Sequence, residues 1–148
     1  MNSELQNKIM EYMKKTRFST LTTIGRKSKE PKSTIVFYEN SGLDIYFNTG
    51  KGAEKVKNIK ANPSVSIVIH HDDPSAKDVR DTRGLLYSGR AEAINEKDFD
   101  KVPEGVKKVY DMVNSYFPGN AVIFKVKPKK IIFIDYSKGF GYSDVLKF

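Results

Sequence analysis

Apolar residues recur along this chain with two different periods. Leu5, Ile9, Tyr12 and Met13 share one helical face, so a helix is expected over residues 3–16, with Ser3 as its cap. From Phe18 onward the period shortens to two. Residues 18–24, 33–38 and 43–48 read as strands, separated by turn-forming stretches at 25–31 and 39–42. Short connections between successive strands predict a meander. In the second of these strands Ser33, Ile35 and Phe37 take one face, and Thr34, Val36 and Tyr38 take the other.

After Gly50 and Gly52, the spacing of Ala53, Val56 and Ile59 predicts a short helix that ends by Asn62-Pro63, because proline disfavours helix in the residue before it. Residues 65–69 read as a strand. Residues 70–83 are polar, contain Pro74 and lack a period, so a mobile loop is expected there. Strand character returns over 85–94. Val102, Val106, Val109, Tyr110, Val113 and Phe117 then form a helical stripe, with Pro103 expected in its first turn. Residues 121–126 and 130–136 read as two last strands separated by Pro128. About seven short strands with three helices between them do not alternate as a parallel sheet requires. The expected fold is mainly β (α+β), a six- to seven-stranded antiparallel barrel with peripheral helices, as one domain over residues 1–148. Closing the sheet would protect residues 131–134 from edge-to-edge pairing.

Composition narrows the chemistry. The 148 residues include no cysteine, which removes thiolate nucleophiles, redox pairs, zinc ribbons and iron–sulfur sites. At 39% apolar and 30% charged residues the chain is expected to fold. Its longest purely aliphatic and aromatic run, residues 131–134, is far short of the ~18 residues of a membrane span. The N-terminus mixes charges of both signs and lacks a secretory signal's apolar stretch, so a cytoplasmic address is expected. The net charge of +8 is unevenly spread: residues 1–32 carry +5, residues 51–60 carry +3 and residues 125–148 carry +4. A compact basic window suits a small anion better than a long polyanion.

That window contains the candidate site. Residues 47–55, Phe-Asn-Thr-Gly-Lys-Gly-Ala-Glu-Lys, join a strand to a helix start with two glycines and two lysines. Unpaired amides of a first helical turn, close approach at glycine and lysine charge together can hold a phosphate. The spacing is neither a Walker loop nor a dinucleotide fingerprint, and an ordinary turn with solvated lysines has the same composition. Other sites gain less support. His70 and His71 are adjacent at a strand end and point to opposite faces, so no metal is expected at 70–73. Asp72, Asp73, Asp78 and Asp81 read as solvated, and no Ser-centred nucleophile elbow occurs. Residues 134–142 set aromatics between glycines, suited to stacking on a planar ring or to covering the barrel.

The order of these pieces, with the block IYFNTGKGAEKVKNIKANPSVSI, the later YSGRAEAI and the closing IIFIDYSKGFG, resembles the pyridoxamine 5'-phosphate oxidase-like, FMN-binding split-barrel family over nearly the whole chain. The resemblance implies a homodimer with FMN in each of two clefts between subunits. It implies contacts to the flavin ring and ribityl chain from Ser33, Thr34, Ile35 and Val36, and from Phe47, Asn48 and Thr49. The main phosphate contact would fall to Lys55, with Lys51 in support. The family's vitamin-converting enzymes carry an arginine where Lys32 and Ser33 stand, and substrate-phosphate residues with no counterpart after Lys130. Small general-stress-protein-like and flavin-reductase-like relatives are therefore the nearer comparison.

The function so implied is an FMN flavoprotein, an oxidoreductase or electron-transfer protein acting on a small-molecule redox substrate or electron-transfer partner. No side chain is assigned as a catalytic acid or base. The alternative is a non-catalytic split barrel holding haem, deazaflavin or another phosphate-bearing ligand. Nucleic-acid binding by a basic β-barrel is a third reading, and the separation of the charge into islands argues against it.

Overall fold

The computed structural model describes residues 2–148. Helix α1 (Ser3–Met13) buries Leu5, Ile9, Tyr12 and Met13, as the spacing predicts. Its cap is Asn2 rather than Ser3, because the Asn2 side chain accepts from the Leu5 amide at 3.0 Å. Strands β1 (Phe18–Ile24), β2 (Pro31–Ser41) and β3 (Asp44–Gly50) form the expected antiparallel meander. Helix α2 (Glu54–Ala61) stops at Asn62, next to Pro63. Strands β4 (Ser64–Ile69) and β5 (Arg83–Ala93) follow, then α3 (Glu104–Tyr116), β6 (Ala121–Asp135) and β7 (Ser143–Lys147).

The strands run in the order β3-β2-β1-β4-β5-β6-β7, and a further pairing of β3 with β6 closes six of them into an antiparallel barrel. Strand β7 is added outside, on the half of β6 that extends past the closure. Inside the barrel lie Leu21, Tyr38, Phe47, Ile67, Tyr87 and Ile131, all fully buried. Both phenols among them are satisfied: Tyr38 donates to the Met13 carbonyl at 2.6 Å, and Tyr87 shares its one hydrogen between the Leu43 and Val126 carbonyls, at 2.7 and 3.0 Å. Burial pushes both phenol pKa values up, so they act as donors.

Several expectations are corrected. Pro128 does not divide two strands. Ser88 pairs with Lys130 and Gly89 with Pro128, so one extra residue, Lys129, bulges out of β6 beside the proline. Gly89 is needed opposite it, since a Cβ there would collide with the Lys127 carbonyl. β7 is an additional strand with no signal in the pattern, because its five residues are too short to show a period. Pro103 is the residue before α3 rather than part of its first turn. Of the α3 stripe only Val106 is fully buried within the helix, against Tyr46, Val102 and Ile123, while Phe117 is 64% exposed. The loop at 70–83 contains a short 3-10 turn, Val79–Asp81, closed by a reciprocal Asp78–Asp81 capping box.

The barrel parts at one place. β2 pairs with β3 only through Tyr38 to Ser41, and its first half, from Pro31 to Phe37, pairs with β1 alone. Asn48, Thr49 and Gly50 pair with β6 and have no partner on β2. α2 leaves the end of β3 at this split. Elsewhere the outer face carries a mostly apolar row, interrupted by Thr20: register aligns Ile35, Thr20, Val68, Leu86, Ile132 and Val145 across six strands. Ile35 is 73% exposed and Val145 is 48% exposed.

Candidate functional site

At the split, β3 ends with Thr49 facing inward, and the turn Gly50-Lys51-Gly52 leads into α2. The turn is held by the Lys51 amide on the Asn120 carbonyl, 2.6 Å, and the Ala53 amide on the Gly50 carbonyl, 3.0 Å. Ala53 precedes the helix and supplies no side-chain cap, so among the described residues no side chain caps the first amides of α2. Lys55 lies in that first turn. It is half-buried, and Nζ donates to Thr49 Oγ1 at 3.4 Å.

Two circumstances oppose a cation at this position. The positive end of a helix dipole disfavours it. Burial removes water from it and pulls its pKa below the usual lysine value. Among the described residues no carboxylate pairs with it. A lysine held under such conditions is poised for an anion that the folded chain does not itself provide. The space before it is a cleft of about 270 Å³, lined by Thr23 of β1, by Lys32, Ser33 and Thr34 of β2, and by Glu54 and Asn58 of α2 beside Lys55.

Asn58 is the residue that the sequence pattern misses. It is 2% exposed, donates from Nδ2 to Thr23 Oγ1 at 3.1 Å and accepts at Oδ1 from the Arg26 amide at 2.9 Å. One buried amide thereby fixes α2 to β1 and to the β1–β2 turn, which sets how far Lys55 stands from β2. The helical period that marks Val56 and Ile59 does not mark Asn58, so its burial has no signal in the hydrophobic pattern.

The remaining candidates divide. Thr34, Thr49 and Lys55 converge on the split, and Ser33 borders the cleft while its hydroxyl shares a 2.8 Å hydrogen bond with Thr22. Val36 and Phe47 are buried in the barrel core, Phe47 stacked on Phe124 at 5.3 Å, so they can offer a ligand only backbone. Ile35 faces outward on the apolar row. Strand alternation puts Asn48 on the same side as Tyr46, toward α3, and its Nδ2 is buried without a hydrogen-bond partner. Lys51 is exposed and outside the cleft lining. His71 packs its ring 5.3 Å from Tyr12, and no group of three metal-ligating side chains occurs among the described residues. No helix among them is long and apolar enough to cross a membrane.

Comparison with known proteins gives a family model, described as pyridoxamine 5'-phosphate oxidase, that matches residues 5–135. No curated protein matches the chain. Among solved structures, general stress protein 26 from Bacillus anthracis superposes with a TM-score of 0.73 at 18% identity, covering 98% of this chain and 99% of that one. Campylobacter jejuni ChuZ gives 0.77 at 20% identity over 99% of this chain, which spans 61% of that protein. A haem-binding protein from Mycobacterium smegmatis gives 0.77 at 16% identity, with 96% and 57% covered. At these identities the structural likeness is one of fold.

Proposed function

The chain belongs to the pyridoxamine 5'-phosphate oxidase family, and on that premise we propose that it is an FMN-binding flavoprotein, an oxidoreductase or electron-transfer protein whose Lys55 cleft seats the cofactor's 5'-phosphate. The observation that carries this reading is Lys55 itself: a half-buried ammonium in a helix's first turn that makes no ion pair with any carboxylate among the described residues. When bound, FMN supplies hydride or single-electron transfer at its ring system. Lys55 neutralises the phosphate, the Thr49 hydroxyl orients the ammonium, and the uncapped amides of α2 offer further donors. The first half of β2, unpaired on its outer edge, gives backbone at Ser33 to Val36 for the ring and ribityl chain. Nothing in this role requires a side-chain acid or base.

Two clefts shared between two copies of the chain would complete the site. The apolar row from Ile35 to Val145 is the surface for that homodimer, since a monomer would leave it in water. The haem-binding names among the structural neighbours support a second ligand class on this fold. Flavin is favoured here because the only two histidines, His70 and His71, follow the Ile69 end of β4, whereas the cleft lies toward Thr23. The test is gel filtration after incubation with FMN, followed by a visible spectrum. Co-eluting flavin absorbance supports the reading. A colourless protein that shows a Soret band only with added haemin overturns it.

A further inference from the structure

Beyond the Lys55 cleft lies a second recess, of about 420 Å³, which shares Lys32, Glu54 and Asn58 with it. Its other charged walls are Arg26 and Lys27, from the β1–β2 turn, and Lys57, from α2. Among the described residues none of these cations, nor Lys32, meets a carboxylate within ion-pair distance. Glu54 is the one acid in either lining.

The turn that carries Arg26 and Lys27 is built rather than loose. The Gly25 amide donates to Glu30 O at 2.7 Å, the Lys29 amide donates to Gly25 O at 3.0 Å, and Lys29 takes a left-handed φ of 61°. The buried Asn58 carboxamide then ties the Arg26 amide to α2 at 2.9 Å. The same clasp that sets Lys55 therefore also sets this second group of cations. A phosphate seated on Lys55 leaves Arg26, Lys27 and Lys57 with Glu54 as the one acid in their lining, in a recess that shares three lining residues with the cleft.

Building on the flavin reading above, we infer that the site takes a flavin dinucleotide: the flavin-side phosphate sits on Lys55, and the second phosphate, with its nucleoside, occupies the recess against Arg26 and Lys57. Arginine's planar fork suits the two free oxygens on each phosphorus of a pyrophosphate. Gly52, where a Cβ would meet nothing within 4 Å, leaves the recess open for the nucleoside. Its walls contain no aromatic ring, so affinity comes from the phosphate and sugar rather than from stacking on the base.

The experiment is titration of the full chain and of the Arg26→Gln/Lys57→Gln variant with FMN and with FAD, read by flavin fluorescence at low salt, with thermal melts as a folding control. FAD is expected to bind the unaltered chain at least as tightly as FMN. The variant is expected to lose about tenfold or more in FAD affinity while FMN affinity stays within about twofold. FAD binding weaker than FMN, or an equal loss of both in the variant, overturns the dinucleotide assignment and leaves the FMN reading standing. Failure of the unaltered chain to bind either flavin overturns both.

Discussion

The Lys55 ammonium donates to the Thr49 hydroxyl across 3.4 Å, joining the first turn of α2 to the end of β3 at the place where the barrel parts. Neither residue gains much stability from so long a hydrogen bond. The lysine is partly desolvated, opposes its helix dipole and has no ion-pair partner among the described residues, so its position is understandable as part of a binding site and costly as part of a scaffold.

Replacing Lys55 with alanine separates those two roles. A hydrogen bond to a charged group contributes roughly 1.5–3 kcal/mol, so FMN affinity should fall about 10- to 100-fold. The unliganded protein should melt no lower than the parent, because an unpaired, partly buried cation has been removed. Calorimetric titration and a thermal melt on the same preparation give both readings.

Affinity should also depend on pH in a direction fixed by burial. Lys55 has its pKa lowered in the folded chain, so between that value and the ordinary 10.5 the unfolded chain holds more protons. Stability of the unliganded protein therefore rises with pH through this window, and Lys55→Met should lack that rise. FMN binding should weaken over the same interval as the ammonium is lost. Riboflavin, which has no phosphate, is the control and should show no such loss.

Asn58→Leu keeps the volume of the side chain and removes its hydrogen bonds. Thr23 Oγ1 and the Arg26 amide lose their partners, at a cost of about 1–3 kcal/mol for the Thr23 hydroxyl left buried and unsatisfied. Urea unfolding should show that loss. FMN affinity should fall as well, because α2 is no longer held against β1.

The apolar row on the outer sheet face gives a test of assembly. Leu86→Lys places a charge in the middle of the row without touching the barrel interior, since Leu86 is 38% exposed. Sedimentation should find a dimer for the parent and a monomer for the variant, with bound FMN reduced alongside. A variant that remains dimeric would show that the copies meet elsewhere.

Local chemistry wrote much of this architecture plainly into the chain. The β-rich run 18–24, closed by Gly25, and the Asn62-Pro63 stop are readable because each depends on neighbours in sequence. Pro128 misled for an instructive reason: proline breaks a ladder unless a bulge absorbs it, and the bulge depends on Gly89, distant in sequence. In the site, Lys55 and Thr49 were legible from the turn that joins them. Asn58 was not, since its value lies in Thr23 and Arg26, on elements that no helical period can anticipate. Phe47 and Val36 fell within the right strands, but their side chains serve the core.

The central claim is that the cleft recognises a phosphate on a flavin. Titrating the full chain with FMN and with riboflavin under identical conditions tests it most directly, because the two ligands differ only in that group. FMN should bind at least about 100-fold more tightly, equivalent to about 2.8 kcal/mol. Equal affinity for the two, or no binding of FMN, would contradict the assignment of Lys55 as the phosphate's counter-charge.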